Sequence, residues 1–197
     1  MNTKFACTIA VAFAMFAGIA GAEVLGPGDQ PPPAGFSVAV LEPLGGRMFV
    51  PQGWEVRERH QQETALGWEV IRTKDGVATA PAFHVRMQPF IFREGGVKAS
   101  VAALSGMAQR KKQADRVISE CAPSHVGIFQ RICLEMTERT ANGKSSRFLY
   151  SVFFNDAMDL MAMTVAVAHE DQWDSASPLF KQMGNVELLP ANPTGAR

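Results

Sequence analysis

Short alternating segments dominate the first third of the chain. Residues 36–41 and 47–50 read as two short strands separated by Pro43 and a Gly-Gly pair. After the turn Pro51-Gln52-Gly53, residues 55–59 and 66–72 are expected to pair across a polar connection. A strict alternation then follows, with Phe83, Val85 and Met87 on one face and polar residues on the other, which predicts a half-buried strand.

The period changes from two to that of a helix after Gly95-Gly96. Apolar residues at helical spacing predict a helix over 97–116 whose inward face carries Val97, Val101, Leu104, Met107 and Ala108. Its last third holds a basic run, which favours a helix C-terminal end. A phosphate or nucleic-acid patch is the alternative interpretation of Arg110, Lys111 and Lys112.

The closing third predicts three strands in a meander and a terminal helix. Residues 128–139 alternate, with Ile132, Leu134 and Met136 on one face and Arg131, Cys133 and Glu135 on the other. After an Asn-Gly turn, the return strand 148–154 carries Phe148, Tyr150, Val152 and Phe154 on one face. Residues 160–168 are apolar and Ala-rich on both faces, as expected for a central strand that a helix can approach closely.

A terminal helix is expected to begin with Ser177 as N-cap and Pro178 as its first residue. Phe180 and Met183 would point inward, and Gly184 would end the helix. Together these elements predict an α+β fold, an antiparallel β-sheet flanked by helices, as a single domain over residues 36–190.

The N-terminus has the order of features of a secretory signal peptide. Lys4 precedes an apolar run over residues 5–20, and Ala20-Gly21-Ala22 forms a cleavage site of the A-x-A type, so residues 1–22 are expected to be removed. A membrane anchor is the alternative, but the run is shorter than the roughly 20 apolar residues of a spanning helix. Glu23, not Cys, follows the site, which disfavours a lipid anchor. We therefore expect a periplasmic or secreted protein with no stable membrane insertion after cleavage.

Residues outside the predicted domain are poor in groups that could be buried. Residues 23–35 are rich in Pro and Gly and predict an extended tether, and residues 191–197 predict a flexible tail. Cleavage would remove Lys4 and leave 18 basic against 19 acidic residues, a net charge of −1. This balance favours neither nucleic acid nor an anionic membrane as a partner.

Two cysteines would remain after cleavage, and the predicted compartment is oxidising. Cys121 and Cys133, 12 positions apart, are therefore expected to form a structural disulfide, worth about 3 kcal/mol in the chain-entropy estimate. The alternatives are a metal site and redox catalysis. The histidines (His60, His84, His125 and His169) lack the close spacing of a zinc motif, and the chain contains no Cys-x-x-Cys pair.

Catalytic, cofactor-binding and metal-binding residues are not identified by any sequence pattern. The chain has no G-x-S-x-G elbow and no P-loop. Acidic residues and a histidine bracket the predicted central strand, namely Asp156, Asp159, His169, Glu170, Asp171 and Asp174. Because the strand separates the two groups by about 30 Å, they are not expected to form one site. A cation at the second group, and Cu(I) at Met158, Met161, Met163 and Met183, are alternatives to solvated loops and core packing.

The chain resembles the PsbP-like and DcrB-like superfamily of α/β/α sandwiches over about residues 46–189. The matching residues are Met48-Phe49-Val50-Pro51-x-Gly53-Trp54, then Arg147-Phe148-Leu149-Tyr150, Leu160 to Val165, Asp171-Gln172-Trp173 and Pro178-Leu179-Phe180. The resemblance implies a non-enzymatic assembly, binding or chaperone-like role. Members include an extrinsic subunit of photosystem II, a regulator of the Ran GTPase and chaperones for type VI secretion effectors.

The function expected from these observations is that of an exported, non-catalytic accessory module that binds a protein partner of unknown identity. One alternative is a periplasmic immunity protein that inhibits a delivered toxin. Another is a small hydrolase or metal-binding protein. Fold alone does not choose among them.

Overall fold

A computed structural model of the chain describes residues 30–42, 45–59, 66–74, 77–89, 96–139 and 143–188. The side chains of residues 74, 78 and 80–89 are outside this description. The predicted signal segment 1–22, most of the tether and the predicted tail 191–197 lie outside the described residues. The same is true of the faces predicted for Phe83, Val85 and Met87, although the backbone of their strand is described.

The described residues form eleven strands and two α-helices in a mixed order, which confirms the predicted α+β class. The first strands are β1 (Phe36–Leu41), β2 (Gly46–Pro51), β3 (Trp54–Glu58), β4 (Leu66–Lys74) and β5 (Val77–Pro89), followed by the helix α1 (Ala99–Gln113). The remaining elements are β6 (Arg116–Glu120), β7 (Ser124–Val126), β8 (Phe129–Arg139), β9 (Ser145–Asn155), β10 (Leu160–His169), a 3-10 turn (Glu170–Gln172), α2 (Trp173–Met183) and β11 (Val186–Glu187).

A large antiparallel sheet forms the centre of the fold. Its order is β3-β4-β5-β10-β9-β8-β6, with β7 also paired to β8. The predicted meander is present as β8, β9 and β10, and β10 is central because β5 pairs with its other edge. One row of paired residues across the meander is Cys133, Ser151 and Thr164, so small polar side chains lie in line across this sheet.

A second, three-stranded sheet in the order β1-β2-β11 was not predicted. It draws β11, which follows α2, onto β2 near the start of the domain. The approach is close at Gly46, where an added Cβ would lie 2.6 Å from the carbonyl oxygen of Glu187. The glycine pair that the sequence marked as a break therefore also makes room for a neighbouring backbone.

Helix α1 covers one face of the large sheet, but Met107 is the only one of the five apolar residues predicted for its inward face that is buried. The buried residues are Ala99, Ala103 and Met107, at 0, 2 and 6% exposure. Val101 and Leu104 are 51 and 56% exposed. The sheet beneath carries the bulky side chains of Phe148, Tyr150 and Phe154, so the small residues of α1 are the ones that fit against it.

The prediction for the end of α1 was also wrong. The helix ends at Gln113, and Arg116, predicted as its last residue, begins β6. Backbone pairing explains this, because β6 joins β8 at the edge of the large sheet and its N–H and C=O groups bond there instead of within a helix.

Helix α2 covers the other face and starts earlier than predicted. It begins at Trp173, and Pro178 lies inside it, so Ser177 is not the N-cap. The buried residues Trp173, Ala176, Phe180 and Met183 recur at helical spacing and pack on Ala162, Ala166 and Ala168 of β10. The inward orientation predicted for Phe180 and Met183, and the close approach to an Ala-rich strand, are confirmed.

Candidate functional site: a groove beside helix α2

The acidic residues that bracket the central strand lie in two places. Asp156 and Asp159 precede β10, whereas His169 ends it and Asp174 follows in α2. Nine strand residues, 160–168, separate Asp159 from His169, and at about 3.3 Å per residue the two groups lie at opposite ends of β10. The structure therefore does not bring them together.

Asp156 has a structural role that the sequence did not indicate. Its Oδ1 accepts the backbone N–H of Ser100 at 2.8 Å, and its Oδ2 accepts the Ser100 hydroxyl at 2.7 Å. The backbone hydrogen bond is the main cause that lowers the pKa of Asp156 below its ordinary value. A side chain 56 residues away in sequence thus caps the first turn of α1.

Metal-binding side chains do not converge in the part of the chain that the structure describes. No group of three His, Cys, Asp or Glu residues there is arranged to hold an ion. His60 and the side chain of His84 lie outside that part. Met183 packs on the α2 side of the sheet and Met161 and Met163 on the α1 side, so these methionines do not form one cluster.

Cys121 and Cys133 are joined by a disulfide, and their Cα atoms are 5.2 Å apart. Cys133 lies in β8, and the backbone N–H of Cys121 donates to its carbonyl oxygen. The bond fastens the segment after β6 to the neighbouring strand.

The basic run at the end of α1 makes contacts within the fold. The Arg110 guanidinium lies 4.2 Å from the centre of the Tyr150 ring, and Lys111 pairs with Glu120. Burial raises the pKa of Tyr150, and the nearby Arg110 charge opposes that rise. These contacts favour the helix-end interpretation of the run over a nucleic-acid patch.

A groove of about 910 Å³ separates one side of α2 from strands β8, β9 and β10. It exists because α2 covers β10 closely but does not reach across the whole width of the sheet. Its lining residues come from the sheet (Arg131, Glu135, Arg147, Leu149, Ser151, Thr164 and Ala166) and from α2 and its C-terminal end (Trp173, Asp174, Ser177, Pro178, Phe180, Lys181, Gly184 and Asn185). We refer to it as the α2 groove.

One part of the α2 groove contains a closed ion pair. The Arg147 guanidinium donates from Nε and Nη2 to Oε1 of Glu135, at 2.6 Å each, and the other carboxylate oxygen accepts the Ser119 hydroxyl at 3.0 Å. Arg147 also lies 4.9 Å from the Trp173 ring. Both side chains are largely removed from solvent, and each charge is balanced by the other, so this part of the groove needs no further ion.

Arg131 differs from Arg147 because no acidic side chain among the described residues pairs with its guanidinium. Its Nη2 donates to the Ser151 hydroxyl at 3.2 Å, and its guanidinium lies 5.8 Å from the Phe153 ring. Its Nε is buried without a hydrogen-bond acceptor. Partial burial lowers the pKa of the Arg131 guanidinium below its ordinary value, because it disfavours the charged form.

The sequence contained a signal for this groove that the prediction did not use. Arg131 and Glu135 were correctly placed on the face of β8 opposite Leu134 and Met136. Charged side chains are rarely buried, so charged residues on a sheet face that another element partly covers indicate a site. The alternation in β8 does not indicate that α2 lies beside that face, because the position of α2 depends on the tertiary structure.

Comparison with known proteins places the fold. Neither a family model nor a curated protein sequence matches the chain. Among solved structures, LpqN of Mycobacterium tuberculosis, involved in cell envelope biogenesis, matches with a TM-score of 0.53 at 11% identity, covering 79% of this chain and 91% of LpqN. The PsbP protein CyanoP of Synechocystis sp. PCC 6803 matches with a TM-score of 0.50 at 13% identity, covering 79% of this chain and 94% of CyanoP.

The chain therefore has the PsbP-like fold, and the resemblance inferred from its sequence motifs is confirmed at the level of fold. Identities this low establish the architecture and do not by themselves establish the function.

No helix among the described residues combines the length and the apolar character needed to cross a membrane.

Proposed function

We propose that this protein is an exported, non-catalytic binding or accessory module that acts in the periplasm or outside the cell. The observation that carries the proposal is the PsbP-like fold, shared with LpqN, a protein involved in cell envelope biogenesis. The signal-like N-terminus supports export, and the Cys121–Cys133 bond suits an oxidising compartment.

The same proposal assigns parts of the chain to separate tasks. Residues 1–22 direct export and are removed, residues 23–35 tether the new N-terminus, residues 36–190 form the binding domain, and residues 191–197 form a flexible tail. The partner is a protein, and neither nucleic acid nor a membrane is required for binding.

Partner capture tests the binding role. The mature, affinity-tagged protein is expressed in its own host, crosslinked mildly in the periplasm and recovered, with an unrelated exported protein carrying the same tag as the control. We expect one protein to co-purify in constant proportion with the bait and to be absent from the control. Repeated recovery of the bait alone would contradict the binding role.

Mass spectrometry tests export and the redox state together. The secreted or periplasmic protein should begin at Glu23 and weigh two hydrogens less than its fully reduced mass. A chain that retains residues 1–22, or one with free thiols at Cys121 and Cys133, would contradict this part of the proposal.

A generic esterase and phosphatase screen, with metal analysis of the purified mature protein, tests the non-catalytic part. Turnover above that of a heat-unfolded sample, or a stoichiometric bound metal, would support the hydrolase or metal-protein alternative instead.

A further inference from the structure

Arg131 is a half-buried cation, and the described residues offer it no anionic partner. Its hydrogen bond goes to a neutral hydroxyl and its ring contact to Phe153. No acidic side chain of the described residues forms an ion pair with it. Since a desolvated cation without a counter-ion is costly, the position is one that an incoming anion would stabilise.

The nearest acid along the same strand is already engaged. Glu135 lies four residues from Arg131 in β8, about 13 Å at strand rise, and both of its oxygens accept hydrogen bonds from Arg147 and Ser119. An ion pair between Glu135 and Arg131 would require breaking the existing contact between Glu135 and Arg147. Arg131 therefore remains available, and Arg147 does not.

The shape of the guanidinium favours a carboxylate among possible anions. A guanidinium offers parallel N–H groups that match the two oxygens of a carboxylate. With one Nη2 contact to Ser151, Arg131 still has donors for such a pair. Planar, bidentate pairing also explains why an arginine, and not a lysine, suits this position.

Part of the groove suits an apolar body. Leu149, Ala166, Pro178 and Phe180 contribute apolar surface beside the small hydroxyls of Ser151 and Thr164. Its volume of about 910 Å³ is within the range of sites for small organic ligands. The Oδ1 of Asn185, at the end of α2, is buried without a donor and adds one more polar group for orientation.

We propose that the α2 groove binds an organic carboxylate with an apolar body, and that the Arg131 guanidinium pairs with the carboxylate group. This inference goes beyond the proposed accessory function and does not depend on it, because it is tested with purified protein and small probes. Free carboxylic acids and polypeptide C-termini share this chemistry.

Matched acid and amide probes test the carboxylate. Titrations monitored by tryptophan fluorescence, to which Trp173 in the groove contributes, and by calorimetry would compare hexanoate with hexanamide, and N-acetyl-Ala-Leu as the free acid with its C-terminal amide. We expect saturable binding at least tenfold tighter for an acid than for its amide. Preference for the peptide acid assigns the site to polypeptide C-termini, and preference for hexanoate assigns it to free acids. Equal affinity of acid and amide in both pairs, or no saturation with either acid, would overturn the proposal.

Variants of Arg131 separate binding from structure. Arg131→Met keeps the apolar stem and removes the charge, so carboxylate affinity should fall at least tenfold while the melting temperature stays constant or rises. Arg131→Lys keeps the charge without the fork and should retain a weaker acid preference.

Arg139→Gln is the matched control, because Arg139 lies on the same strand and is exposed to solvent. It should bind as the unmodified protein does. Undiminished acid binding by folded Arg131→Met would show that the carboxylate binds elsewhere. Equal loss in Arg139→Gln would show that the effect is one of general charge.

Discussion

The two faces of the large sheet each pack against one helix, but the large and small side chains are distributed in opposite ways between sheet and helix. On the α1 face, the sheet supplies bulky side chains and the helix supplies alanines. On the α2 face, the strand β10 supplies alanines and the helix supplies Trp173 and Phe180. Large groups meet small groups on both sides, as dense interior packing requires.

The faces differ in what they leave uncovered. Helix α1 turns Val101 and Leu104 to the outside, and Val97 just before the helix is exposed as well. Helix α2 instead leaves a groove whose floor holds charged and hydroxyl side chains. Size complementarity, and not apolar character alone, therefore decided which side of α1 is buried.

The largest effect is expected from Phe180, which is 1% exposed and contacts Trp173 with ring centres 5.8 Å apart. Phe180→Ala should lower the free energy of unfolding by about 3–5 kcal/mol, because β10 opposite offers only alanines to fill the cavity. Urea denaturation monitored by circular dichroism measures this. The neighbouring exposed residue gives the control, since Lys181→Ala should change stability little.

A smaller loss is expected from enlarging the buried side of α1. Ala103 is 2% exposed against the aromatic side of the sheet, so Ala103→Leu should destabilise the fold by about 1–3 kcal/mol through overpacking. Thermal unfolding measures the change. An increase in stability would show that the α1 face is loosely packed and that size did not decide the orientation of the helix.

Acid should weaken the cap of α1. The pKa of Asp156 is lowered in the folded state, so its contribution is present above the unfolded pKa and is lost as the pH falls through the lower, folded value. Asp156→Ala should therefore melt at a lower temperature than the unmodified protein near neutral pH, and the difference should shrink in strong acid. A difference independent of pH would contradict a role for the carboxylate.

The smallest effect is expected on the outer stripe of α1. Leu104 is 56% exposed, so Leu104→Ser should change the free energy of unfolding by less than about 0.5 kcal/mol. Denaturant titration of this variant beside Ala103→Leu compares two adjacent positions of one helix. A loss above 2 kcal/mol at Leu104 would reverse the assignment of the two sides.

The sequence predicted most elements where a period of two or a turn motif was unambiguous. The meander and the inward Phe180 and Met183 are examples. It failed at β6, whose five residues carry no alternation strong enough to oppose the preceding helix. It also failed at the start of α2, where burial of Trp173 and Ala176 extended the helix past the expected cap.

The candidate site was less predictable than the fold. The alternation in β8 placed Arg131 and Glu135 on one face, but no local pattern states which charges will find partners. Glu135 pairs with Arg147 of the next strand, and that pairing depends on the register of β8 against β9. The same register places Arg131 opposite Phe153, which carries no charge.

The sequence by itself determined the periodicities, the α+β class, the pair of cysteines and the signal-like N-terminus, because each is written in neighbouring residues. The tertiary structure alone decided which side of α1 is buried and that Asp156 caps that helix. It also decided that a groove lies beside α2 and that Arg131 in this groove has no acidic partner among the described residues. Burial and ion pairing join residues far apart in the chain, so their outcome depends on how whole layers fit together.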